Sequence, residues 1–397
     1  MAKKNLALIT PEVLLWARQF AQIPLEEAAK SAGVKVEKLI AWEAGEEYPT
    51  IRQAKILANK YRVPFACFYL PFPPEIKLPK NKDFRKLYQP LEQTGTFSTE
   101  LIFLMRDALE KREIALDLLE ELGSKPKPFE HFIEISSLKK STISDEIRGF
   151  LGISYETQKK LRNPRKAFNF FRMAFERSGI LVFQAKDIPL FEMRGMSIYE
   201  ELLPIIIVNR KDTYTARCFT LFHELVHILT RTPGICDIIE DEEPNIASDI
   251  ESLCNKVAAE CLVPKNFFVK ENIVREKQGS HWTDEEIKKL SNLYSVSREV
   301  IVRRLYDLNY VDINFYKAKR IQYIEEFKNY EGKKDKKSGS GGFIHPVTDV
   351  VSSAGKLFVG LVLEAFNQNY ITPNEASSFL GIRTKYFSKL ESAMMRV

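Results

Sequence analysis

The chain has 397 residues, 45% hydrophobic and 28% charged, with a net charge of +6 and five cysteines. That length exceeds a single core of ~100–200 residues, so two or more domains are expected; no apolar run approaches the ~20 residues of a membrane span and no secretory signal opens the chain, so a cytoplasmic protein without membrane contact is expected. Cys67, Cys218, Cys236, Cys254 and Cys261 are odd in number and form no C-x-x-C pair, which argues against a Cys-rich zinc module and for reduced core thiols.

From residue 9 the chain breaks into short helices. Thr10 is placed to cap the first, with Pro11 in its first turn and Val13, Leu14, Ala17 and Phe20 on its apolar face. A second carries Leu25, Ala28 and Ala29; a third, with Leu39 and Trp42, stops at Gly45; a fourth holds Ile51, Ala54, Leu57 and Tyr61. Helix, tight turn and helix in a compact bundle is the helix-turn-helix pattern. Residues 24–47 are nevertheless net acidic, with Glu26, Glu27, Glu37, Glu43, Glu46 and Glu47 against Lys30, Lys35 and Lys38. Phosphate neutralisation supplies most non-specific duplex affinity, so Lys35 and Lys38 are weak nucleic-acid candidates.

A polar, helix-rich connector follows, with apolar periodicity in "ELIFLMRDALEKREIALDLLEEL" and "RKAFNFFRMAFERSGI". The runs "ILVFQ", "MRGMSIY" and "PIIIVNR" then read as strands of a small sheet, and "PIIIVN" could offer an edge to an extended substrate or be a plain core strand. Next comes "ARCFTLFHELVHILTRTP", residues 216–233, an apolar helix whose remaining arc holds Arg217, Thr220, His223, Glu224, His227 and Arg231. His223 and His227 lie one turn apart and can point at one atom, as two imidazole ligands to a tetrahedral metal must. Glu224 stands beside them, placed to take a proton from metal-bound water. Chance alone gives H-E-x-x-H in on the order of one such chain in a few hundred.

A third ligand is sought downstream among Glu240–Glu243, Asp249, Glu251 and Glu260. In "SDIESLCNKVAAECLVP" the apolar residues form one helical stripe, and Glu251 falls inside it while Asp249 and Glu260 fall outside. A carboxylate facing a core is rarely left unpaired, which a metal would explain; the acidic run at 240–243 reads as a solvated loop. Two later stretches repeat the helix-turn-helix form. "TDEEIKKLSNLYSVSREVIVRRLYDLNYV" carries a Thr283–Glu286 capping box, a Ser297 cap and the basic residues Arg298, Arg303 and Arg304, the better nucleic-acid candidates. "ITPNEASSFLGIRTKYFSKLE" follows a Lys/Gly/Ser-rich stretch.

"RCFTLFHELVHIL" followed by "IESLCNKVAAECLVP" resembles the ImmA/IrrE family of zinc metallopeptidases, with Cys254, Val257 and Val226 where that family usually has Ala, Phe and Gly. "WEAGEEYPT" and "KDFRKL" look like the XRE-type helix-turn-helix domain fused ahead of many such peptidases. The resemblance implies Zn2+, with Mn2+ as the alternative ion, held by His223, His227 and Glu251, and Glu224 as general base. It implies a regulatory endopeptidase acting on a helix-turn-helix repressor or toxin-system protein in stress or mobile-element control. The competing reading is an antitoxin-like or DNA-binding regulator that uses the peptidase fold as scaffold, and a homodimer is open to either. An oxyanion donor is expected, and Tyr199, Tyr214, Arg217 and His281 are its candidates. His131 and His345 have no partner pattern and read as structural or exposed.

The fold class expected is α+β and mostly α. Residues 1–75 would form the helix-turn-helix bundle, 76–177 a helical connector, and 178–270 a zincin-like peptidase core with a small antiparallel sheet. A helix-turn-helix-like unit over 271–330, a flexible linker over 331–353 and a C-terminal helical unit over 354–397 would complete the chain.

Overall fold

The structure is a computed structural model and describes residues 5–74, 98–140, 142–232, 234–236, 246–277, 281–335 and 344–395, with side chains left out at 138–139, 234–236, 246–249 and 327–335. The stretch "KDFRKL", the acidic run 240–243, the linker residues 336–343 and the side chains of Cys236 and Asp249 therefore lie outside the described residues. Two compact units divide after Leu109.

The first unit holds α1 (Pro11–Phe20), α2 (Leu25–Ala32), α3 (Val36–Glu43), α4 (Ile51–Tyr61) and a short 3-10 turn, Phe65–Tyr69. Val13, Leu14, Ala28, Leu39, Trp42, Leu57 and Tyr61 make its core, as their helical spacing requires. Thr10 does occupy the N-cap of α1, but its hydroxyl donates to the Leu70 carbonyl at 2.7 Å instead of capping the helix. The unit ends inside α5 (Thr99–Glu121).

In the second unit, α6 (Ile143–Phe150), α7 (Tyr155–Leu161) and α8 (Pro164–Arg177) precede β1 (Leu181–Ala185), β2 (Gly195–Ile198) and β3 (Ile205–Asn209). Then come α9 (Tyr214–Thr230), β4 (Gly234–Cys236) and α10 (Ile246–Leu262). The strand order is β1-β3-β2-β4. β1 runs parallel to β3, whereas β2 is antiparallel to both β3 and β4, so the sheet is mixed and the expectation of an antiparallel one is corrected. β3 is interior and cannot present a free edge, which removes the substrate-edge reading of "PIIIVN". Its unbroken Ile-Ile-Ile-Val run reflects burial on both faces. Ile206 and Val208 enter the core shared with α8 and α9, where the Phe222 ring meets Phe171 and Phe175 edge-on.

The remaining helices are α11 (Lys265–Phe268), α12 (Asn272–Arg275), α13 (Asp284–Tyr294), α14 (Arg298–Asp307), α15 (Ile313–Asp335), α16 (Pro346–Asn367), α17 (Pro373–Leu380) and α18 (Phe387–Met395). The Thr283–Glu286 capping box and the Ser297 cap form as their sequence signals require. Ile287, Leu290, Ile301 and Leu305 share one core with α6–α10, so residues 271–330 are not a separate body. The expected linker 331–353 is helical at both ends, because α15 runs to Asp335 and α16 starts at Pro346.

α16 lies on β1, with Phe358 edge-on to Phe183. By length and composition α16 does match a membrane span, contrary to the reading of the sequence, but half of its apolar window is buried inside the fold. It is broken at Gly355 (φ 84°, ψ 159°), and a buried ion pair from α8 clasps the break. Arg172 bonds Glu176 at 3.0 Å and the Ser352 carbonyl at 2.6 Å, while Glu176 accepts from the Lys356 and Leu357 amides at 3.2 and 3.3 Å. One member thus satisfies carbonyls that end the first half of α16, and the other caps the second half.

Candidate metal centre

Helix α9 starts on Thr213, whose hydroxyl accepts from the Ala216 amide, and ends at Arg231 in a left-handed conformation. Every residue from Thr220 to Thr230 is buried, so the polar arc faces the interior. α10 packs along it and brings Glu251 to the two histidines. His223 Nε2 lies 3.1 Å from Glu251 Oε2, His227 Nε2 lies 3.2 Å from Glu251 Oε1, and the two Nε2 atoms are 3.1 Å apart. Among the described residues this trio is the group of His, Cys, Asp or Glu side chains arranged to hold a metal ion.

Hydrogen bonding fixes which ring atoms face inward. Thr230 donates to the Val226 carbonyl at 2.8 Å, so Thr232 donates to Thr230 at 2.7 Å and accepts from His227 Nδ1 at 3.1 Å. His223 Nδ1 donates to Asn255 Oδ1 at 3.0 Å. Both Nε2 lone pairs then face each other and a carboxylate, three acceptors together, which only a cation or added protons can relieve. A tetrahedral ion with bonds of ~2.0–2.1 Å separates its ligand atoms by about 3.3 Å, close to the observed spacings. The residues present fit a divalent metal. Burial would raise the Glu251 carboxyl, but the two imidazoles outweigh it and hold it below the ordinary carboxylate range.

Glu224 is fully buried, and the buried Ser197 hydroxyl on β2 is the polar group that interacts with its carboxylate. Burial raises its pKa above the ordinary value, against the pull of His223 and His227. It faces β2 where α9 crosses closest: a Cβ on Gly195 would overlap Thr220 Cγ2 and lie 2.9 Å from Glu224 Oε1. Only glycine permits that approach.

The other expected site residues are placed elsewhere. Arg217 is a strut: its guanidinium donates to the Asp212 carbonyl at 2.9 Å, Gln184 Oε1 at 2.9 Å and the Arg210 carbonyl, tying the start of α9 to β1 and the β3–α9 turn. One N–H on each of its three nitrogens is engaged in holding that turn, so the structure places Arg217 as a structural tie at the start of α9. Tyr214 stacks under Arg217, with the guanidinium 4.4 Å from its ring centre; Tyr199 rests against Arg231 at 5.1 Å; His281 is exposed ahead of α13. Glu260 accepts from Arg304 at 3.4 Å, so it serves packing and not the metal.

Of the three arginines expected as nucleic-acid candidates on α14, one is buried and two are part exposed. Arg304 is 1% exposed and bonds the Val263 carbonyl, Asp307 and Glu260. Arg303 reaches the Ser252 carbonyl at 3.3 Å, and Arg298 pairs with Glu326 beneath the Tyr323 ring. Arg304, buried inside the fold, is not free to neutralise a phosphate. Lys35 and Lys38 are exposed on or next to α3, with Lys38 3.3 Å from Glu47.

Four supporting residues escaped the sequence reading: Asn255, Thr232, Gly195 and Ser197. Asn255 had a usable signal, being a polar residue one turn after Glu251. Ser197 is buried on β2 and interacts with Glu224.

Residues 175–306 match the family model for the IrrE N-terminal-like domain, a peptidase family. The match takes in all four site residues and continues past residue 270 through α13 and most of α14, in keeping with their shared core. No curated protein matches the chain. Residues 175–306 are thus a metallopeptidase-like domain.

Proposed function

We propose that this chain is a zinc-dependent regulatory endopeptidase with one narrow protein substrate, a helix-turn-helix repressor or a toxin-system protein, with manganese as the alternative ion. The observation that carries the reading is the meeting of three acceptor side chains, two imidazoles and a carboxylate, at 3.1–3.2 Å beside the buried Glu224 carboxylate. His223, His227 and Glu251 would hold the ion, and Asn255 and Thr232 orient the two rings. When bound, the ion supplies Lewis-acid polarisation of a peptide carbonyl and lowers the pKa of a water. Glu224, whose carboxyl burial raises above the ordinary value, accepts the proton of the attacking water and passes it to the leaving amine. The buried walls of α9 and β2 keep bulk water from competing for that carboxylate.

The test compares cells producing wild type with cells producing Glu224→Gln, mapping new protein N-termini. One or a few cleavages confined to wild type, with metal content equal in the two proteins, are expected. Identical N-termini in both strains under every stress applied would refute the endopeptidase reading.

A further inference from the structure

From the geometry of the C-terminal helices we infer a second site: the exposed face of α18 with the turn before it binds double-stranded DNA. α17 and the 3-10 turn that opens α18 are joined by Gly381, Ile382 and Arg383, with Gly381 left-handed at φ 61°. Ala376, Leu380, Ile382, Phe387 and Leu390 are buried between the two helices and α16, and the Phe366 and Phe387 rings meet edge-on at 5.2 Å. Two short helices fixed across a tight turn are the arrangement in which a second helix enters the major groove by its N-terminal residues.

The outward stripe of this second helix is Arg383, Thr384, Lys385, Ser388 and Lys389, all exposed. Helical spacing sets Thr384, Lys385, Ser388 and Lys389 on one face. No ion pair engages the three cations among the described residues; Lys385 lies only over the Tyr386 ring. The segment's two acids are occupied away from that stripe. Glu375 closes the capping box with Thr372, and Glu391 accepts from Asn367 at 3.1 Å. Three unopposed cations with hydroxyls between them complement a phosphate backbone flanking base edges.

The other two helix pairs lack this face. α3 exposes Glu37 beside Lys38, and Lys38 is already paired with Glu47; α14 buries Arg304, pairs Arg298 with Glu326 and turns Arg303 to the Ser252 carbonyl. Of the three helix pairs, the last is therefore the one whose described residues expose cations that no acid opposes.

The test is fluorescence anisotropy of the full chain on a labelled random-sequence duplex of about 30 base pairs, titrated with salt. Wild type binds at low salt, with a log–log salt slope to which each of the three phosphate contacts contributes about 0.9. The triple variant Arg383→Ala, Lys385→Ala, Lys389→Ala loses about tenfold or more in affinity at ~0.1 M salt, and its slope falls by about 2.7. Lys385→Arg with Lys389→Arg keeps both, and Lys35→Ala with Lys38→Ala changes neither; equal melting transitions identify any unfolded variant, and the arginine pair carries the comparison in that case. Absence of duplex binding by wild type overturns the inference. So does a triple variant with the wild-type slope, or capture of an acidic protein but no duplex by this face.

Discussion

Replacing Asn255 by alanine removes the acceptor of the His223 Nδ1–H without touching any ligand atom. His223 is 0% exposed, so that donor finds no water and is left unpaired. An unpaired buried donor costs ~1–3 kcal/mol. The metal-free protein escapes by moving the ring proton to Nε2, a tautomer that ligation through Nε2 forbids, so the cost falls on metal binding. Zinc affinity should drop about 10- to 100-fold, which is ~1.4–2.8 kcal/mol. Competition against a chromophoric chelator at neutral pH measures it directly. Asn255→Asp, which keeps an acceptor and adds charge, should bind zinc at least as tightly as wild type. An Asn255→Ala protein with wild-type zinc affinity and an intact fold would refute the orienting role and the ring tautomers deduced from it.

Gly355→Ala should destabilise the protein by about 3 kcal/mol or more in chemical denaturation, because φ 84° with ψ 159° is a glycine-only conformation and a Cβ would overlap Glu176 Oε1; a loss below about 1 kcal/mol would mean the clasp yields. Arg304→Ala removes a buried guanidinium and strands the partly buried carboxylates Glu260 and Asp307, which should cost about 3 kcal/mol, so a variant as stable as wild type would contradict its structural role. The Glu286 carboxyl is held at about 2 by Lys277 and the Thr283 amide, against 4.5 ordinarily. A depressed pKa adds stability that is present above pH ~4.5 and lost as pH falls toward 2; discounted for solvent screening at this exposed position it is about 1 kcal/mol. Glu286→Gln should therefore be less stable than wild type at pH 7 by that amount and nearly equal to it at pH 2, as paired urea titrations would show.

The candidate metal ligands were legible because the chemistry contradicts its surroundings: two imidazoles and a carboxylate on one arc of a greasy helix, and Glu251 inside another helix's apolar stripe. Periodicity places such residues on faces, and faces that must be buried meet. Helix caps were legible for the same local reason, as at Thr283 and Ser297. Partners set by tertiary packing were not. Nothing local distinguishes Arg304, 1% exposed, from an arginine reaching solvent, and Asn255 acquires its role only when α10 lies against α9. Thr10 sits at a helix start yet spends its hydroxyl on Leu70, sixty residues away.

Boundaries failed for a related reason. The apolar stripes of α13 and α14 announce burial but not against which core, and they fill the one that also encloses α9 and α10. The parallel pairing of β1 with β3 was equally hidden, since a run such as "PIIIV" is buried on both faces whichever direction its neighbour takes. At the C-terminus the pattern of two helices was visible, while the free cations of α18 stood out only once those of α14 proved to be buried or paired.

The central claim is that His223, His227 and Glu251 hold one divalent ion and that Glu224 stands beside it without binding it. Metal content of the purified chain, measured by mass spectrometry in parallel for wild type, His227→Ala and Glu224→Gln, tests this most directly. About one zinc or manganese per chain is predicted for wild type and Glu224→Gln, with near zero for His227→Ala. A metal-free wild type after zinc loading, or a His227→Ala protein that retains a full equivalent, would contradict it.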